Sequence, residues 1–278
     1  MNMSLEGKVA IVTGVSAGLG AGIARVFTGL GIHVVGMARS DVSKLEFRGQ
    51  SGSAAGSFDF VQGDVAQEES CRKLVDTCLQ KHGRVDILIN NAAITGVPPF
   101  LPIEEISAEA LRSVMEVNLF GPFFMAKHVL PAMKKQKDGV IINIASVNAV
   151  FGTALFSSYN ASKAAVVHLG HTIATEGVRY NIRCNNIILG SVKSKMNEAA
   201  EIAIAQTAIG TKAQPTPEQL AKQARSWMEP DDVASAISLL CRPEARLITG
   251  ADINIDGGIL AGVMSTYAQR VASKRLFE

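Results

Sequence analysis

The sequence contains no apolar run approaching the ~18 residues a membrane-spanning helix needs. Its opening, Met1 to Lys8, lacks the hydrophobic core of a secretory signal peptide. Blocks of like charge are equally scarce: none is longer than Lys134-Lys135 before a mildly basic tail at Lys274-Arg275. With a net charge of +2, nothing in the composition calls for a nucleic-acid partner. Cysteine is sparse too. Cys71, Cys78, Cys184 and Cys241 form no CxxC and meet no histidines at ligand spacing, so no metal site is readable and the thiols read as structural. There is no internal repeat and no low-complexity linker. These absences leave a cytoplasmic chain of 278 residues, 47% hydrophobic, long enough for one large α/β domain and short for two.

What is present is alternation. Lys8 to Thr13 is a short run rich in β-branched residues, and Gly14-Val15-Ser16-Ala17-Gly18-Leu19-Gly20 follows at once. From Ala21 to Leu30 the apolar spacing becomes helical and stops at Gly31. Strand, glycine turn, helix is the context of a phosphate-binding turn. Glycine allows positive φ and close approach, and the helix N-terminus offers unpaired N–H groups. The spacing is GxxxGxG rather than GxGxxG.

Further strands are expected at 33–38, 58–62, 85–90, 139–144, 181–189 and 251–255, with helices between them. The whole pattern predicts a doubly wound parallel sheet of about seven strands with helices on both faces. Residues 43–58 read as a short helix decaying into a loop. Residues 96–102 read as a rigid apolar loop and pocket wall, and 108–135 as one long helix containing Asn118. From Gly190 to Glu229 there is no strand pattern. An alanine-rich helix (196–208), a break at 210–217 and a helix reaching Trp227 suit a lid over a ligand cleft.

Individual positions leave alternatives. Arg39, after Ala38 at the end of the second strand, is either a cofactor contact or a solvated loop arginine. Asp64 either accepts from an adenine amino group or caps the following helix. Asn118 either bonds back within its helix or serves the site.

The chemistry concentrates at Tyr159-Asn160-Ala161-Ser162-Lys163 and at Ser146, which ends the apolar run from Val140. On a helix, Tyr159 and Lys163 share a face at i and i+4. A phenol is a poor base near its ordinary pKa of ~10, and a neighbouring ammonium lowers that value toward working pH. Ser146, at a strand's carboxyl end, is placed to hold a substrate oxygen.

Taken together these positions resemble the classical short-chain dehydrogenase/reductase family. The matching residues are Thr13-Gly14-x-x-x-Gly18-x-Gly20, Asp64, Asn90-Asn91-Ala92, Asn118, Ser146, Tyr159-x-x-x-Lys163 and Asp256-Gly257-Gly258, in order from about Leu5 to Gly258. The resemblance implies a Rossmann-like sheet spanning residues 1–278 as one domain, with the lid at about 190–229 and a C-terminal extension at 259–278. It implies Tyr159 as general acid or base, Ser146 as its partner on the carbonyl oxygen, and Lys163 as the group that lowers the tyrosine pKa and grips the nicotinamide ribose. Asn118 corresponds to the residue holding a water in a proton relay. Gly14, Gly18 and Gly20 correspond to the pyrophosphate loop, with Ser16 and Leu19 beside them, and Asn90, Asn91 and Ala92 lie along the adenosine side. Asp64 and Val65, then Gly190, Val192 and Ser194, complete the implied cofactor set.

The sequence departs from the family at Ala93, where glycine is usual, at Leu189, where proline precedes glycine, and at Ser194 for threonine. Ala38 stands where NAD-binding relatives carry an acid, and with Arg39 and Ser40 it points to NADP(H), with NAD(H) as the alternative.

The expected activity is therefore interconversion of a ketone and a secondary alcohol, acting on CH–OH. An NAD-dependent dehydrogenase is the chemical alternative, and a catalytically silent cofactor-binding regulator the alternative of another class. Asn148, Phe151, Phe156 and Met196 are expected to line a mainly apolar substrate pocket, with Phe100, Leu101 and Trp227 nearby. Helices 108–135 and 157–176 are apolar over more than one face, and in the family they pair across two-fold axes, implying a homotetramer or dimer. That pairing also gives His128, His168 and His171 an interface or core role rather than a catalytic one.

Overall fold

The computed structural model describes residues 4–42, 56–96, 100–194, 196 and 228–262. Seven strands form one parallel sheet in the order β3-β2-β1-β4-β5-β6-β7. They are β1 Val9–Thr13, β2 His33–Ala38, β3 Phe58–Gln62, β4 Ile87–Asn90, β5 Gly139–Ile144, β6 Ile182–Leu189 and β7 Asp252–Ile255. Every residue of β1, β4 and β5 is buried. Covered on both faces, these strands can be apolar without alternation, which is why their sequences read as unbroken runs.

The strand period divides the core. Ala10 and Val12 point to one side, where they pack with Ile23 and Phe27 of α1 (Gly18–Gly29). Val9 and Ile11 point to the other, toward Leu74 of α2 (Glu68–His82). Next along that second face come α3 (Ala108–Met115), α4 (Gly121–Gln136) and α5 (Ser157–Gly177), with Met125 and Ile173 in its core. Helix α6 (Pro230–Cys241) returns to the first face and sends Val233 and Ile237 into that core.

Local chemistry sets the ends of α2. Glu68 and Glu69 sit in its first turn, Lys81 and His82 in its last, and Gly83 closes it at φ 70° in the left-handed region. All four cysteines are buried, and burial pushes each thiol up to about 12.

The single helix expected over 108–135 is three pieces. Between α3 and α4 lies one π-helical turn, Glu116–Phe120, centred on Asn118. Such turns add a residue to the helical path and re-aim a side chain. Here it turns Asn118 inward until only 1% of it remains exposed.

A row of three amides and a carboxylate crosses the sheet from β4 to β7. Asn90, Asn143, Asn186 and Asp252 are register partners on β4, β5, β6 and β7. Asn90 Nδ2 donates to Asn143 Oδ1 (2.9 Å), Asn143 Nδ2 to Asn186 Oδ1 (3.1 Å), and Asn186 Nδ2 to Asp252 Oδ1 (2.8 Å). A β-carbon at Gly170 would stand 2.1 Å from Asn186 Oδ1, so only glycine lets α5 lie so close. The expected helix at 43–58 falls largely outside the described residues, as do 97–99 of the apolar loop, both lid helices and 263–278 of the extension.

Candidate active site

The strand order reverses between β1 and β4, and there the chain opens a cleft of about 510 Å³ at the carboxyl ends of the strands. At one end lie Gly14, Ser16, Ala17, Gly18, Leu19 and Gly20. Gly14 takes φ 75° and Gly18 φ 55°. A β-carbon on Gly14 would come within 2.9 Å of Ala92 Cα, and one on Gly20 within 2.1 Å of the Gly14 carbonyl oxygen. Gly14 and Gly20 therefore admit no side chain, and the loop leads into the N-terminus of α1, whose unpaired N–H groups suit an anion. This fits the diphosphate of a dinucleotide.

Thr13 and Asn91 hold the loop in place. Thr13 Oγ1 accepts from the backbone N–H groups of Asn91 (3.0 Å) and Ala92 (3.1 Å). Asn91 Nδ2 donates to the carbonyl oxygens of Thr13 (2.9 Å) and Gly14 (3.3 Å). Asn91 and Ala92 line the cleft. Asn90 does not. Expected beside the adenosine ribose, its side chain instead joins the amide row inside the sheet, because strand alternation turns it away from the cleft.

Arg39, Asp64 and Val65 line the outer end beyond Ala38. Arg39 is exposed. Asp64 does not cap α2, whose N-cap is Gln67; its Oδ1 accepts from Ala66 N–H at 3.0 Å and tightens the turn before the helix. Ser40 is exposed and absent from the lining, and Val192 is buried outside it, joined by a parallel bridge to Met228. That bridge ties the two ends of the 190–229 excursion together, with Met228 N–H donating to the Ser191 carbonyl (2.9 Å) and Lys193 N–H to the Met228 carbonyl (3.0 Å).

Gly190, Ser194 and Met196 line the wall opposite, and Ala93 lines the cleft as well. A β-carbon on Gly190 would stand 2.7 Å from the backbone of Asp256, so the glycine lets the two chain segments touch.

At the inner end Ser146, Tyr159 and Lys163 meet. Ser146 begins a short 3-10 turn (Val147–Ala149) after β5, and its Oγ accepts from Asn148 N–H at 3.2 Å. The Ser146 hydroxyl acts on the Tyr159 phenol from the same end of the cleft and favours its ionised form. The tyrosine ring is partly exposed to the cleft while its hydroxyl sits among buried neighbours, and that burial pushes its pKa up to about 12 against the lowering effect of Ser146.

Lys163 is 3% exposed and lies 5.6 Å from the tyrosine ring centroid. Its Nζ donates to the Ile144 carbonyl at 2.6 Å, and burial brings its pKa down to about 8. Desolvation of the phenolate is thus the largest influence on Tyr159 in this packing.

Asn118 is bonded outside its own helix. Its Oδ1 accepts from Ile94 N–H (2.8 Å), and its Nδ2 donates to the Ile94 carbonyl (2.9 Å) and Ser162 Oγ (3.0 Å). The side chain thus braces the loop after β4 against α5, next to Lys163, and is not part of the cleft lining.

Asn148, Phe151 and Phe156 line the substrate end. Phe100, held at φ 64°, packs its ring on Phe156 with centroids 4.9 Å apart and stands behind the wall. Sequence reasoning did not single out Thr153 or Asn160, which hydrogen-bond around Asn148. None of the three histidines lines the cleft. His128 meets Glu68 (3.1 Å), His171 meets Asp252 (2.9 Å), and His168 packs edge-on against His171. Among the described residues no group of three or more His, Cys, Asp or Glu side chains is placed to hold a metal ion, and no helix is long and apolar enough to cross a membrane.

Known proteins match this arrangement along most of the chain. A family model described as short chain dehydrogenase matches residues 8–204. An uncharacterized oxidoreductase of Thermotoga maritima is 35% identical over 93% of this chain and 100% of its own length. The 3-oxoacyl-[acyl-carrier-protein] reductase FabG of the same organism is 31% identical, again over 93% and 100%. Among solved structures, levodione reductase superposes with a TM-score of 0.81 at 26% identity, covering 92% of this chain and 98% of the other. Fold, glycine loop and sequence likeness agree that the chain belongs to the short-chain dehydrogenase family, oxidoreductases that act on CH–OH groups with a nicotinamide cofactor.

Proposed function

We propose that this protein interconverts a ketone and a secondary alcohol with NADP(H), on a substrate whose skeleton is mainly apolar. The observation that carries this reading is the meeting of Ser146, Tyr159 and Lys163 in the lining of one glycine-lined cleft, with Lys163 Nζ 5.6 Å from the tyrosine ring centroid. A bound nicotinamide supplies or accepts the hydride. Tyr159 gives its phenolic proton to the carbonyl oxygen as negative charge grows there, and takes it back in the reverse direction. Ser146 holds that oxygen in line with the phenol. A phenol stays protonated at neutral pH, as a proton donor to the carbonyl oxygen must. The names of two matched proteins, a 3-oxoacyl reductase and a levodione reductase, agree with reduction of a carbonyl.

Lys163 supports the tyrosine and offers its ammonium to the ribose hydroxyls, while Asn118 holds α5 in place through Ser162. The glycine loop from Gly14 to Gly20 receives the diphosphate, and Asp64, Asn91 and Gly190 border the cofactor's length. Phe151, Phe156 and Met196 give the substrate end its apolar walls.

The preference for NADP(H) rests on two adjacent residues. An acid after β2 would accept both ribose hydroxyls of NAD and repel a phosphate there, and Ala38 does neither. Arg39, at the outer end of the cleft, meets a phosphate through paired, charge-assisted hydrogen bonds. Such bonds, at ~1.5–3 kcal/mol each, give roughly a ten- to hundredfold preference or more. Steady-state kcat/KM with NADPH and NADH on a ketone panel tests the reading. NADPH is expected to win, and Ala38→Asp with Arg39→Leu to reverse the order; equal or NADH-favouring values in the unaltered protein would contradict it.

A further inference from the structure

Asn148 is locked into one orientation by a closed set of hydrogen bonds whose direction follows from a single carbonyl. The Thr153 backbone oxygen can only accept, and Asn160 Nδ2 lies 2.9 Å from it. That fixes which end of the Asn160 amide is which and turns its Oδ1 toward Asn148, whose Nδ2 donates to it at 3.0 Å. Asn148 Oδ1 is left facing Thr153 Oγ1, which donates at 3.3 Å. The Asn160 backbone N–H, bonded to the Phe156 carbonyl at 2.7 Å, anchors the set to the first turn of α5.

An amide has two donor hydrogens and two acceptor lone pairs. The lock uses one of each on Asn148, so one N–H and one lone pair remain for the cleft that Asn148 and Thr153 both line. Asn148 is also tied to the reacting centre, because its own backbone N–H donates to Ser146 Oγ at 3.2 Å.

The geometry points to Asn148 as the residue that selects substrates carrying a second oxygen close to the reacting carbonyl, with Asn160 as the positioning residue that aims it. A hydroxyl matches the remaining pair fully, since it both donates and accepts. A second carbonyl uses the N–H alone. A methylene in the same place leaves both amide groups dry and unpaired against the apolar walls of Phe151 and Phe156, which is costly. The substrate class is therefore an α-hydroxyketone, or its diol on the alcohol side, with a vicinal diketone accepted less well. This inference rests on the ketone–alcohol reading above and deepens it.

The test compares matched sets of ketones with NADPH as reductant: butanone, diacetyl and acetoin, then deoxybenzoin, benzil and benzoin. Within each set the members share a carbon skeleton and differ in the second oxygen. For the unaltered protein, kcat/KM is expected to rise from monoketone to diketone to hydroxyketone, by roughly five- to tenfold for each hydrogen bond gained. In Asn148→Leu and in Asn148→Ala, each first shown by thermal melting to be folded, the hydroxyketone-to-monoketone ratio should fall toward one. Asn160→Leu should lower the same ratio partway while Asn148 itself is present. A purely structural brace would slow all members of a set alike and leave their ratio untouched; that result overturns the inference. A ratio near one in the unaltered protein, with monoketones turned over, overturns it too and leaves the ketone–alcohol reading standing. No turnover of any member with NADPH or NADH would overturn both.

Discussion

Lys163 donates its ammonium to the backbone carbonyl of Ile144 at 2.6 Å, the last residue of the strand that leads to Ser146. The contact joins the α5 helix to the end of β5 and holds a lysine that is only 3% exposed. Desolvation then disfavours the ammonium and brings its pKa from the lysine value of 10.5 to about 8.

That depression gives stability a pH signature with a definite sign. Below about 8 the folded and unfolded chains both hold the proton, and the folded state bears the full cost of a buried charge. Between about 8 and the lysine value of 10.5, the folded state has lost the proton while the unfolded state keeps it, so stability rises with pH. Lys163→Met removes this dependence. Relative to the unaltered protein, the variant should lose an advantage of up to about 3 kcal/mol as pH climbs through that window, whatever constant offset the lost bond to Ile144 adds. Denaturant melts of both proteins at neutral pH and again at alkaline pH read the difference. A gap that does not change would show that Lys163 titrates as an ordinary exposed lysine.

Gly20 should tolerate no side chain. A β-carbon there would stand 2.1 Å from the Gly14 carbonyl oxygen and 2.6 Å from Asn91 Nδ2, the amide that holds the loop. Relief requires the loop to move off β4, which removes the diphosphate cradle. Gly20→Ala is therefore expected to abolish measurable NADPH binding by fluorescence titration and to lower the melting temperature. Unchanged binding would mean that the cofactor lies elsewhere. Gly152 serves as the control, since a β-carbon there has nothing within 4 Å.

The outer face of the α3–α4 segment carries Leu111, Phe120 and Phe123, each more than two-fifths exposed, with Phe124 packed edge-on against Phe123. A stripe facing only the sheet would not need them. The proposed assembly buries this face between copies, as a tetramer or a dimer, and light scattering at micromolar concentration should report more than one chain. A monomer would contradict it, and Phe120→Asp with Phe123→Asp should shift the assembled protein toward the monomer.

Much of this architecture was legible in the sequence because it is local or periodic. The unbroken apolar runs marked β1, β4 and β5, the switch to helical spacing at Ala21 marked α1, and the i, i+4 pair placed Tyr159 and Lys163 on one face. What depends on the register between distant strands was not legible. Asn90 looked like a ligand contact until its partner on β5 was known, since only the alignment with Asn143 shows that its amide faces into the sheet. The π turn at Asn118 was hidden for a related reason: it arises from contacts with Ile94 and Ser162, distant in sequence, and not from helix propensity. For Tyr159, spacing gives the neighbouring charge but not the desolvation around the phenol, which only the packing shows. The lock on Asn148 has the same character, as Thr153 and Asn160 carry no signal of their own until the chain folds back on itself.

The central claim is that the Tyr159 phenol moves the proton in a ketone–alcohol interconversion, and one substitution addresses it directly. Tyr159→Phe keeps the ring, its edge-on packing against Phe156 and the cleft, and removes only the hydroxyl. Turnover of an accepted ketone with saturating NADPH should fall by roughly 10²–10⁴-fold, while the cofactor's dissociation constant and the melting temperature stay close to those of the unaltered protein. A variant that binds NADPH and retains near-normal kcat would contradict the account.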